Sequence, residues 1–178
     1  MPRLFTGIEI PAQISLALSA YRGGLPGARW IDPENYHITL RFIGDIDARM
    51  ADDVCSILAD SRRRHPLAIT LDGLDSFGGG KPRAVFARAS GNGEIIELAA
   101  EQERLMRQLG LPPETRKFTP HVTLARLRNA SPIDVADYIA TRGHFPKLTF
   151  TAARFVLYSS RASTGGGPYV VEAAYPLG

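Results

Sequence analysis

A four-residue frame occurs twice in this 178-residue chain, and it constrains the fold more than any other feature. His37-Ile-Thr-Leu40 and His121-Val-Thr-Leu124 begin 84 residues apart, each in apolar sequence typical of a strand. Because strand side chains alternate between two faces, the histidine and threonine of each frame share one face, ~6.6 Å apart, and the apolar residues share the other. One such frame is ordinary in a sheet. Two frames in matching contexts predict two half-sites that face one ligand.

Apolar periodicity predicts helices and strands in an order that also repeats. The predicted strands cover residues 4–10, 36–43, 67–74, 84–89, 121–127, 148–158 and 169–175. The predicted helices cover residues 11–21, 47–64, 92–109 and 131–140, with Asp45 or Asp47, Asn92 and Ser131 as N-caps. Strand, helix, histidine strand, helix and strand occur in 4–74 and again in 84–158. We therefore expect an α+β fold with mainly antiparallel sheets: residues 1–178 form one domain of two pseudo-symmetric lobes around a central cleft, each contributing one frame.

Composition argues against two classes of protein. No apolar run approaches the ~18–20 residues that cross a membrane, and Glu9 interrupts any signal-peptide core near the start. Cys55 is the single cysteine, so an internal disulfide is impossible and we expect a protein of the reducing cytoplasm.

The formal charge of +3, with 18 arginines among 21 basic residues, favours an anionic partner, although genomic composition bias explains it equally well.

Two imidazoles near one ligand can perform chemistry that one cannot. With an ordinary pKa near 6.5, one histidine can accept a proton while the other, in its charged form, donates one. Cleavage of a phosphodiester needs such a pair, a base for the incoming oxygen and an acid for the leaving oxygen. The hydroxyls of Thr39 and Thr123 could donate hydrogen bonds to the non-bridging phosphate oxygens. His37 and His121 are therefore candidate proton-transfer residues.

Metal binding is the competing use of paired histidines. A zinc site needs three or four ligands, and the chain has four histidines and one cysteine, with no His-x-His or Cys-x-x-Cys spacing. His65 and His144 lie close to prolines in predicted loops, so we expect both at the surface. Carboxylates could complete a metal site, yet the pattern favours a site without a metal ion or other cofactor.

Two arginines lie close enough to the frames to be candidates for binding a phosphate. Arg126 comes five residues after His121, and strict alternation places it on the face opposite that histidine. It reaches the site only if the strand bulges or ends near Ala125. Arg41, four residues after His37, is expected on the histidine face but ~13 Å along the strand.

Two segments rich in glycine are expected to be connectors. Residues 76–83 contain Gly-Gly-Gly-Lys-Pro, where proline replaces the Ser or Thr that follows the lysine of a phosphate-binding loop. We expect a hairpin connection there, from which Lys81 or Arg83 could touch a phosphate. Residues 159–168 are expected to form a mobile loop that could close over a substrate at the mouth of the cleft. A serine hydrolase has no support, because the chain lacks a Gly-x-Ser-x-Gly elbow.

The two frames resemble the paired motifs of the two-histidine (2H) phosphoesterase superfamily. Their surroundings are similar to those of the RNA 2′,3′-cyclic phosphodiesterases, also called 2′-5′ RNA ligases or LigT-like proteins. The similar segments are Leu40-Arg-Phe-Ile-Gly-Asp45, Phe118-Thr-Pro-His-Val-Thr-Leu-Ala-Arg126 and Leu157-Tyr-Ser-Ser160. The likeness runs almost the full chain, from Leu4-Phe5 to Tyr175-Pro176.

The resemblance implies a two-lobed, internally duplicated fold with a metal-independent site between the lobes. It implies that His37 is the proton donor and His121 the proton acceptor, and that Thr39 and Thr123 hold the phosphate. The family often has an arginine where Arg126 stands, which adds Arg126 to the expected substrate-binding residues.

The expected function is hydrolysis of an RNA-terminal 2′,3′-cyclic phosphate to a 2′-phosphate. The expected partners are RNA ends or nucleotides that carry this group, with no membrane, and the protein is expected to be a monomer. Two alternatives stay open: 2′-5′ ligation of RNA, which is the reverse chemistry, and a non-catalytic module that binds RNA or nucleotides. Intact histidines in both frames argue against the binding module, because binding alone needs no acid–base pair.

Overall fold

The computed structural model describes residues 3–61, 65–90, 93–142, 144–160 and 167–178. Over these residues the chain forms nine strands and four helices. The strands are β1 (Arg3–Glu9), β2 (Ala28–Trp30), β3 (His37–Asp45), β4 (Leu67–Phe77), β5 (Ala84–Ala89), β6 (His121–Leu127), β7 (Leu148–Ala152), β8 (Arg154–Ser160) and β9 (Tyr169–Pro176). The helices are α1 (Ala12–Ser19), α2 (Ala48–Ala59), α3 (Gly93–Gln108) and α4 (Pro132–Thr141). A short 3-10 helix, Pro33–Asn35, joins β2 to β3.

The strands belong to one sheet, in the order β7-β4-β5-β6-β3-β1-β8-β9, with β2 pairing beside β6. Every pairing between the described strands is antiparallel. The histidine strands β3 and β6 are neighbours at the centre of the sheet, and the recorded pairing between them is one residue pair, Ile38 with Val122. The sheet therefore has two lobes joined at a narrow seam. This confirms the predicted two-lobed α+β fold, with the lobes joined in one continuous sheet.

Each half of the sequence contributes one strand that pairs with strands of the other half. β4 follows α2 in the first half of the chain, but it pairs with β5, which begins the second half. β8 belongs to the second half and pairs with β1, the first strand of the chain. Outward from the seam, the order β6-β5-β4-β7 on one side matches β3-β1-β8-β9 on the other. The strand order thus has the two-fold symmetry that the repeated sequence pattern predicts.

The apolar residues of both frames lie in the hydrophobic core. Ile38, Leu40, Val122 and Leu124 are each at most 6% exposed. The helices α2 and α3 contact each other, and α3 also packs against β3 and β4. Burying an aliphatic side chain of this size contributes about 1.5–3 kcal/mol. The core therefore fixes which face of each frame is apolar, and it leaves the other face for the polar residues.

Predicted N-caps begin two of the helices. At the start of α2 the Asp47 carboxylate accepts a hydrogen bond from the backbone N–H of Met50, at 2.8 Å. At the start of α4 the Ser131 hydroxyl accepts one from the backbone N–H of Asp134, at 3.0 Å, and Pro132 occupies the first turn. Both caps satisfy N–H groups that have no partner within the helix. These two predictions are confirmed.

Other predicted helix ends differ from the structure. α2 ends at Ala59 instead of near residue 64, because polar residues follow and no apolar residue continues its buried stripe before Leu67. α1 ends at Ser19, before the predicted end at residue 21. The predicted cap Asn92 lies outside the described residues.

The prediction of one strand over residues 148–158 is wrong. This stretch forms two strands, β7 and β8, separated at Ala153. β7 pairs with β4 in one lobe, and β8 pairs with β1 and β9 in the other. Both stretches have strand-like sequence and one residue separates them, so periodicity alone does not reveal that the chain changes lobes. β4 also runs to Phe77, beyond its predicted end, because its last residues pair with β5.

Candidate active site

The seam between β3 and β6 brings the two frames together. Ile38 and Val122 are paired across the seam, and both are fully buried in the core. Because side chains alternate along a strand, the residues that flank this pair lie on the opposite face of the sheet. The flanking residues are His37 and Thr39 from β3, and His121 and Thr123 from β6, all half-buried. Four predicted site residues therefore lie on one face, two from each strand.

A backbone carbonyl two residues earlier holds each imidazole. His37 Nδ1 lies 2.9 Å from the carbonyl oxygen of Asn35, and His121 Nδ1 lies 2.5 Å from that of Thr119. A carbonyl can only accept a hydrogen bond, so Nδ1 carries the hydrogen in both rings. In the neutral imidazole, Nε2 is then the atom with a free electron pair. Both histidines are thus held in the tautomer that can accept a proton at Nε2.

The Thr39 hydroxyl contacts the reactive nitrogen of His37. Its Oγ1 lies 3.0 Å from His37 Nε2. While His37 is neutral, the hydroxyl donates to Nε2. Once Nε2 carries a proton, the hydroxyl becomes the acceptor or is free to donate to another group. The state of this hydrogen bond therefore follows the protonation of His37.

The protein environment lowers the pKa of both histidines. The pKa of His37 falls from 6.5 to about 4, chiefly because burial penalises the charged imidazole. His121 and Arg126 add like-charge repulsion, and the carbonyl of Asn35 offsets part of the shift. Burial and then Arg126 lower the pKa of His121, against the opposing effect of the Thr119 carbonyl. Both rings are therefore neutral at neutral pH without a ligand, and a bound anion would raise both pKa values.

Aromatic rings surround His37. Its ring centroid lies 5.1 Å from that of Phe5, 5.5 Å from Tyr158 and 4.9 Å from Tyr169. Phe5 and Tyr158, from the neighbouring strands β1 and β8, stack on each other at 5.0 Å. These rings exclude water from one side of the imidazole, which accounts for the penalty on its charged form.

A second stacked pair lies beside His121. Phe77 of β4 and Phe86 of β5 stack with centroids 4.2 Å apart, and each lies about 5 Å from the His121 ring, at 4.9 and 5.0 Å. The Arg83 guanidinium lies over Phe77, 5.8 Å from its centroid. The predicted hairpin connector at 76–83 joins β4 to β5, as expected, and its two ends lie at the wall of the site.

A bulge in β6 brings Arg126 to the histidine face. Thr123 and Ala125 pair with consecutive residues of β5, so Leu124 is an extra residue. Such a bulge reverses the alternation of the residues that follow it. Ala125 is consequently fully buried, and Arg126 is exposed and lines the same cleft as His37. The condition for Arg126 to reach the site, a bulge near Ala125, is met.

The corresponding bulge in β3 removes Arg41 from the site. Thr39 and Arg41 pair with consecutive residues of β1, which leaves Leu40 as the extra residue. Arg41 is 6% exposed, and its guanidinium donates to the Glu103 carboxylate of α3 at 2.6 Å. The prediction that Arg41 lies on the histidine face is therefore wrong. Phe42 takes that place and is 47% exposed.

A cleft of about 140 Å³ lies over this face of β3. It is lined by Arg3, Phe5, His37, Thr39, Phe42, Arg126, Ser160 and Tyr169. Most of the residues that the sequence did not identify come from β1, β8 and β9, whose register beside β3 no local pattern gives. Ser160 and Phe42 are exceptions, because they belong to the segments Leu157-Tyr-Ser-Ser160 and Leu40-Arg-Phe-Ile-Gly-Asp45 that resemble the family.

Neither of the remaining histidines contributes to the site. His65 and His144 are exposed, as predicted. Among the described residues, no three His, Cys, Asp or Glu side chains are grouped as metal ligands would be.

Of the predicted loop at 159–168, residues 161–166 lie outside the described part of the chain. Over the described chain, no helix is both long and apolar enough to cross a membrane.

Relatives match most of the sequence. The family model described as LigT like Phosphoesterase matches residues 8–87 and again 85–169. A curated protein of Aeropyrum pernix, named RNA 2′,3′-cyclic phosphodiesterase, is 39% identical over 109 residues, which are 60% of this chain and 61% of the relative. A protein of the same name from Aquifex aeolicus is 36% identical over 57% of this chain and 56% of the relative. The match therefore spans less than two thirds of the length of either relative.

Solved structures share the fold along the whole chain. The crystal structure of Escherichia coli LigT complexed with 3′-AMP matches with a TM-score of 0.79 and 25% identity, covering 99% of both chains. The two successive matches of the family model each contain one His-x-Thr frame, in agreement with the repeated strand order. The chain thus belongs to the LigT-like phosphoesterase family, within the two-histidine phosphoesterase superfamily.

Proposed function

We propose that the protein hydrolyses the 2′,3′-cyclic phosphate at an RNA end to a 2′-phosphate, without a metal ion. His121 acts as the base and His37 as the acid. The observation that carries the proposal is a pair of imidazoles on one face of the sheet, both with Nδ1 bound to a carbonyl, next to one arginine. The relatives named RNA 2′,3′-cyclic phosphodiesterase support this reaction.

The reaction requires one proton to be removed and one to be supplied. His121 Nε2 takes a proton from the attacking water as its oxygen bonds to phosphorus. The bond from phosphorus to the ribose 3′ oxygen breaks, and His37 Nε2–H gives that oxygen a proton. The product carries a 2′-phosphate and a 3′-hydroxyl. After the reaction His121 is charged and His37 is neutral. His121 then releases a proton to water and His37 takes one up, which restores the starting state.

The substrate itself charges the acid. A pKa of about 4 keeps His37 neutral at neutral pH before binding. The cyclic phosphate carries a negative charge, and its position between the two rings favours the imidazolium form. Protonation of Nε2 also ends its use as an acceptor for Thr39, whose hydroxyl can then donate to a phosphate oxygen. Binding of the anion thus prepares both the acid and one phosphate contact.

Arg126 and the two threonines hold the phosphate. The Arg126 guanidinium is a positive group close to both histidines, as its effect on both pKa values indicates. A guanidinium can donate two parallel hydrogen bonds to phosphate oxygens. Thr39 and Thr123 each supply one hydroxyl donor from the same face of the sheet. We assign all three residues to substrate binding.

We also infer how the chain is organised and where it acts. Residues 1–178 act as one domain of two lobes, because each lobe supplies one His-x-Thr frame to the same site. The single cysteine supports a reducing, cytoplasmic location. We infer a monomer, because both frames of the site come from one chain.

An oligonucleotide that ends in a 2′,3′-cyclic phosphate tests the proposal. We expect conversion to the 2′-phosphate, identified by the gain of one water in mass and by chromatography against authentic 2′-phosphate and 3′-phosphate standards. The rate should be unchanged by thorough chelation with EDTA. A 3′-phosphate product, or activity that chelation abolishes and one divalent ion restores, would overturn the mechanism. Addition of RNA with a free 5′-hydroxyl detects the reverse reaction, because ligation would create a 2′-5′ linkage.

A further inference from the structure

A second cavity of about 290 Å³ adjoins the cleft over His37. Asn35 lines this cavity, and its carbonyl oxygen is the group that binds His37 Nδ1. Pro168 also lines it, and the next residue, Tyr169, lines the cleft. Residues next to each other in the chain thus line the two cavities on the side of His37.

Two arginines join the cavities on the opposite wall. Arg29 of β2 is paired directly with Arg126 of β6, so both side chains lie on the same face of the sheet. Arg126 lines the cleft, and Arg29, which is exposed, lines the second cavity. On the other flank Arg126 is paired with the small Ala84. A guanidinium group can donate two hydrogen bonds to phosphate oxygens, so two neighbouring arginines could bind two neighbouring phosphates.

We propose that the second cavity binds the nucleotide that precedes the terminal one, with Arg29 on the phosphate that joins the two. This inference rests on the proposed function. With the cyclic phosphate held by Arg126 and the histidines, the next anion of an RNA strand is the internucleotide phosphate. The Cβ atoms of directly paired strand residues are ~5 Å apart, and each guanidinium sits at the end of a long side chain. Adjacent phosphates are thus within reach of the pair.

The rest of the second cavity suits a nucleoside better than a second phosphate. Asp32 and Glu34 also line it, and Asp32 pairs with Arg22 at 3.5 Å. Carboxylates accept hydrogen bonds from the amino groups of bases, whereas they repel phosphate. Arg29 lies on the side that faces Arg126 and can bind a phosphate. Asp32 and Glu34 lie elsewhere in the cavity and can accept hydrogen bonds from the base that follows. The proposed substrate is therefore an oligonucleotide end rather than a free cyclic mononucleotide.

Two substrates measure the contribution of Arg29. One is a mononucleoside 2′,3′-cyclic phosphate, and the other is a dinucleotide that ends in the same cyclic phosphate. We expect a higher kcat/KM for the dinucleotide with the wild-type protein. Arg29→Gln should reduce the ratio of the two kcat/KM values by ~10-fold, mainly through KM, because a charged hydrogen bond to the internucleotide phosphate is lost. Arg29→Lys should restore part of the ratio.

Three controls separate this contact from a change of fold or of net charge. Arg107→Gln on α3 removes one charge from an exposed position and should leave both substrates unaffected. Arg3→Gln removes a charge that lines the cleft, and it should not change the ratio. With a dinucleotide whose internucleotide linkage is an uncharged methylphosphonate, Arg29→Gln should have no further effect on the ratio. Thermal melting checks that each variant is folded.

The outcomes distinguish this inference from the function on which it rests. If wild-type protein hydrolyses both substrates and Arg29→Gln leaves the ratio unchanged, the second subsite is wrong and the hydrolase stands. The same conclusion follows if Arg29→Gln slows both substrates equally, or if Arg3→Gln lowers the ratio instead. If wild-type protein hydrolyses neither substrate, the proposed function fails and the subsite fails with it.

Discussion

β3 and β6 hold their histidines in the same way. In each strand, Nδ1 binds the carbonyl two residues earlier, and a stacked aromatic pair lies beside the ring. Each strand also bulges at the leucine of its frame. The strands differ just after the bulge. The fourth residue after the histidine is Arg41 in β3 and Ala125 in β6, and the fifth is Phe42 in β3 and Arg126 in β6.

Under the proposed mechanism, this difference separates the residues for proton transfer from the residue for phosphate binding. The shared features place two equivalent imidazoles, which alone would not distinguish acid from base. Arg126 places a positive charge on the β6 side, whereas β3 presents Phe42, which is paired with Phe5. In the proposed mechanism, Arg126 would hold the phosphate, and this asymmetry would distinguish the acid from the base.

Removing either imidazole should have the largest effect. We expect His37→Ala and His121→Ala each to slow hydrolysis by ~10²–10⁴-fold, since each ring performs one proton transfer. The double variant should lose far less than the product of the two losses, because groups that act together are not additive. Steady-state kinetics with a cyclic-phosphate substrate measures all three. His65→Ala, at an exposed position, is the control, and a folded single variant with near-full activity would end the two-histidine mechanism.

Arg41→Met tests the structural role of the fourth residue after His37, through the free energy of unfolding. The change leaves the Glu103 carboxylate, with a side chain 26% exposed, without its partner at 2.6 Å. We expect a loss of about 2–3 kcal/mol in the free energy of unfolding, measured with urea. Arg88→Met breaks a more exposed ion pair with Asp72 and should cost less than about 1 kcal/mol. Equal losses for the two variants would contradict the structural role assigned to Arg41.

Arg126→Gln tests the proposed role of the fifth residue after His121, through the rate of hydrolysis. We expect kcat/KM to fall by ~10–100-fold, because a charge-assisted contact to the phosphate is lost. Arg126 lowers the pKa of both histidines, so its removal should raise both. The acid limb of the rate profile requires a neutral base, and it should therefore move to higher pH. A large loss of rate with an unmoved acid limb would place Arg126 away from the histidines.

The threonines should have the smallest effects. Thr39→Val and Thr123→Val each remove one hydroxyl donor, and we expect losses of up to ~10-fold in kcat/KM. Thr39→Val should be the more harmful, because Thr39 also contacts His37 Nε2 at 3.0 Å. Thr149→Val, in β7 at an exposed position, is the matched control. A larger loss for Thr123→Val would indicate that the Thr39 contact does not matter for the acid.

The sequence predicted the two frames and their shared face because strand periodicity and the apolar core determine both. It placed Arg41 on the wrong face of the sheet, and it placed Arg126 at the site only if β6 bulged. A bulge at a leucine does not change the apolar alternation that the sequence shows, so neither bulge could be predicted. It merged β7 and β8 because one residue separates them and the choice of partner strand is a long-range property. The aromatic walls, such as Phe5 and Phe77, depend on register between strands distant in sequence, which no local pattern contains.

β4 and β8 are exchanged between the two halves of the chain, so each half completes the lobe of the other. Halves that lend each other a strand are arranged as the two chains of a strand-swapped dimer, with the connector at 76–83 in place of a break. Two identical copies of one half would build a site with the same residue on both sides. Because both halves belong to one polypeptide, their sequences can differ, so position 42 can be aromatic while position 126 is basic. The covalent link thereby permits a symmetric scaffold to carry an asymmetric site.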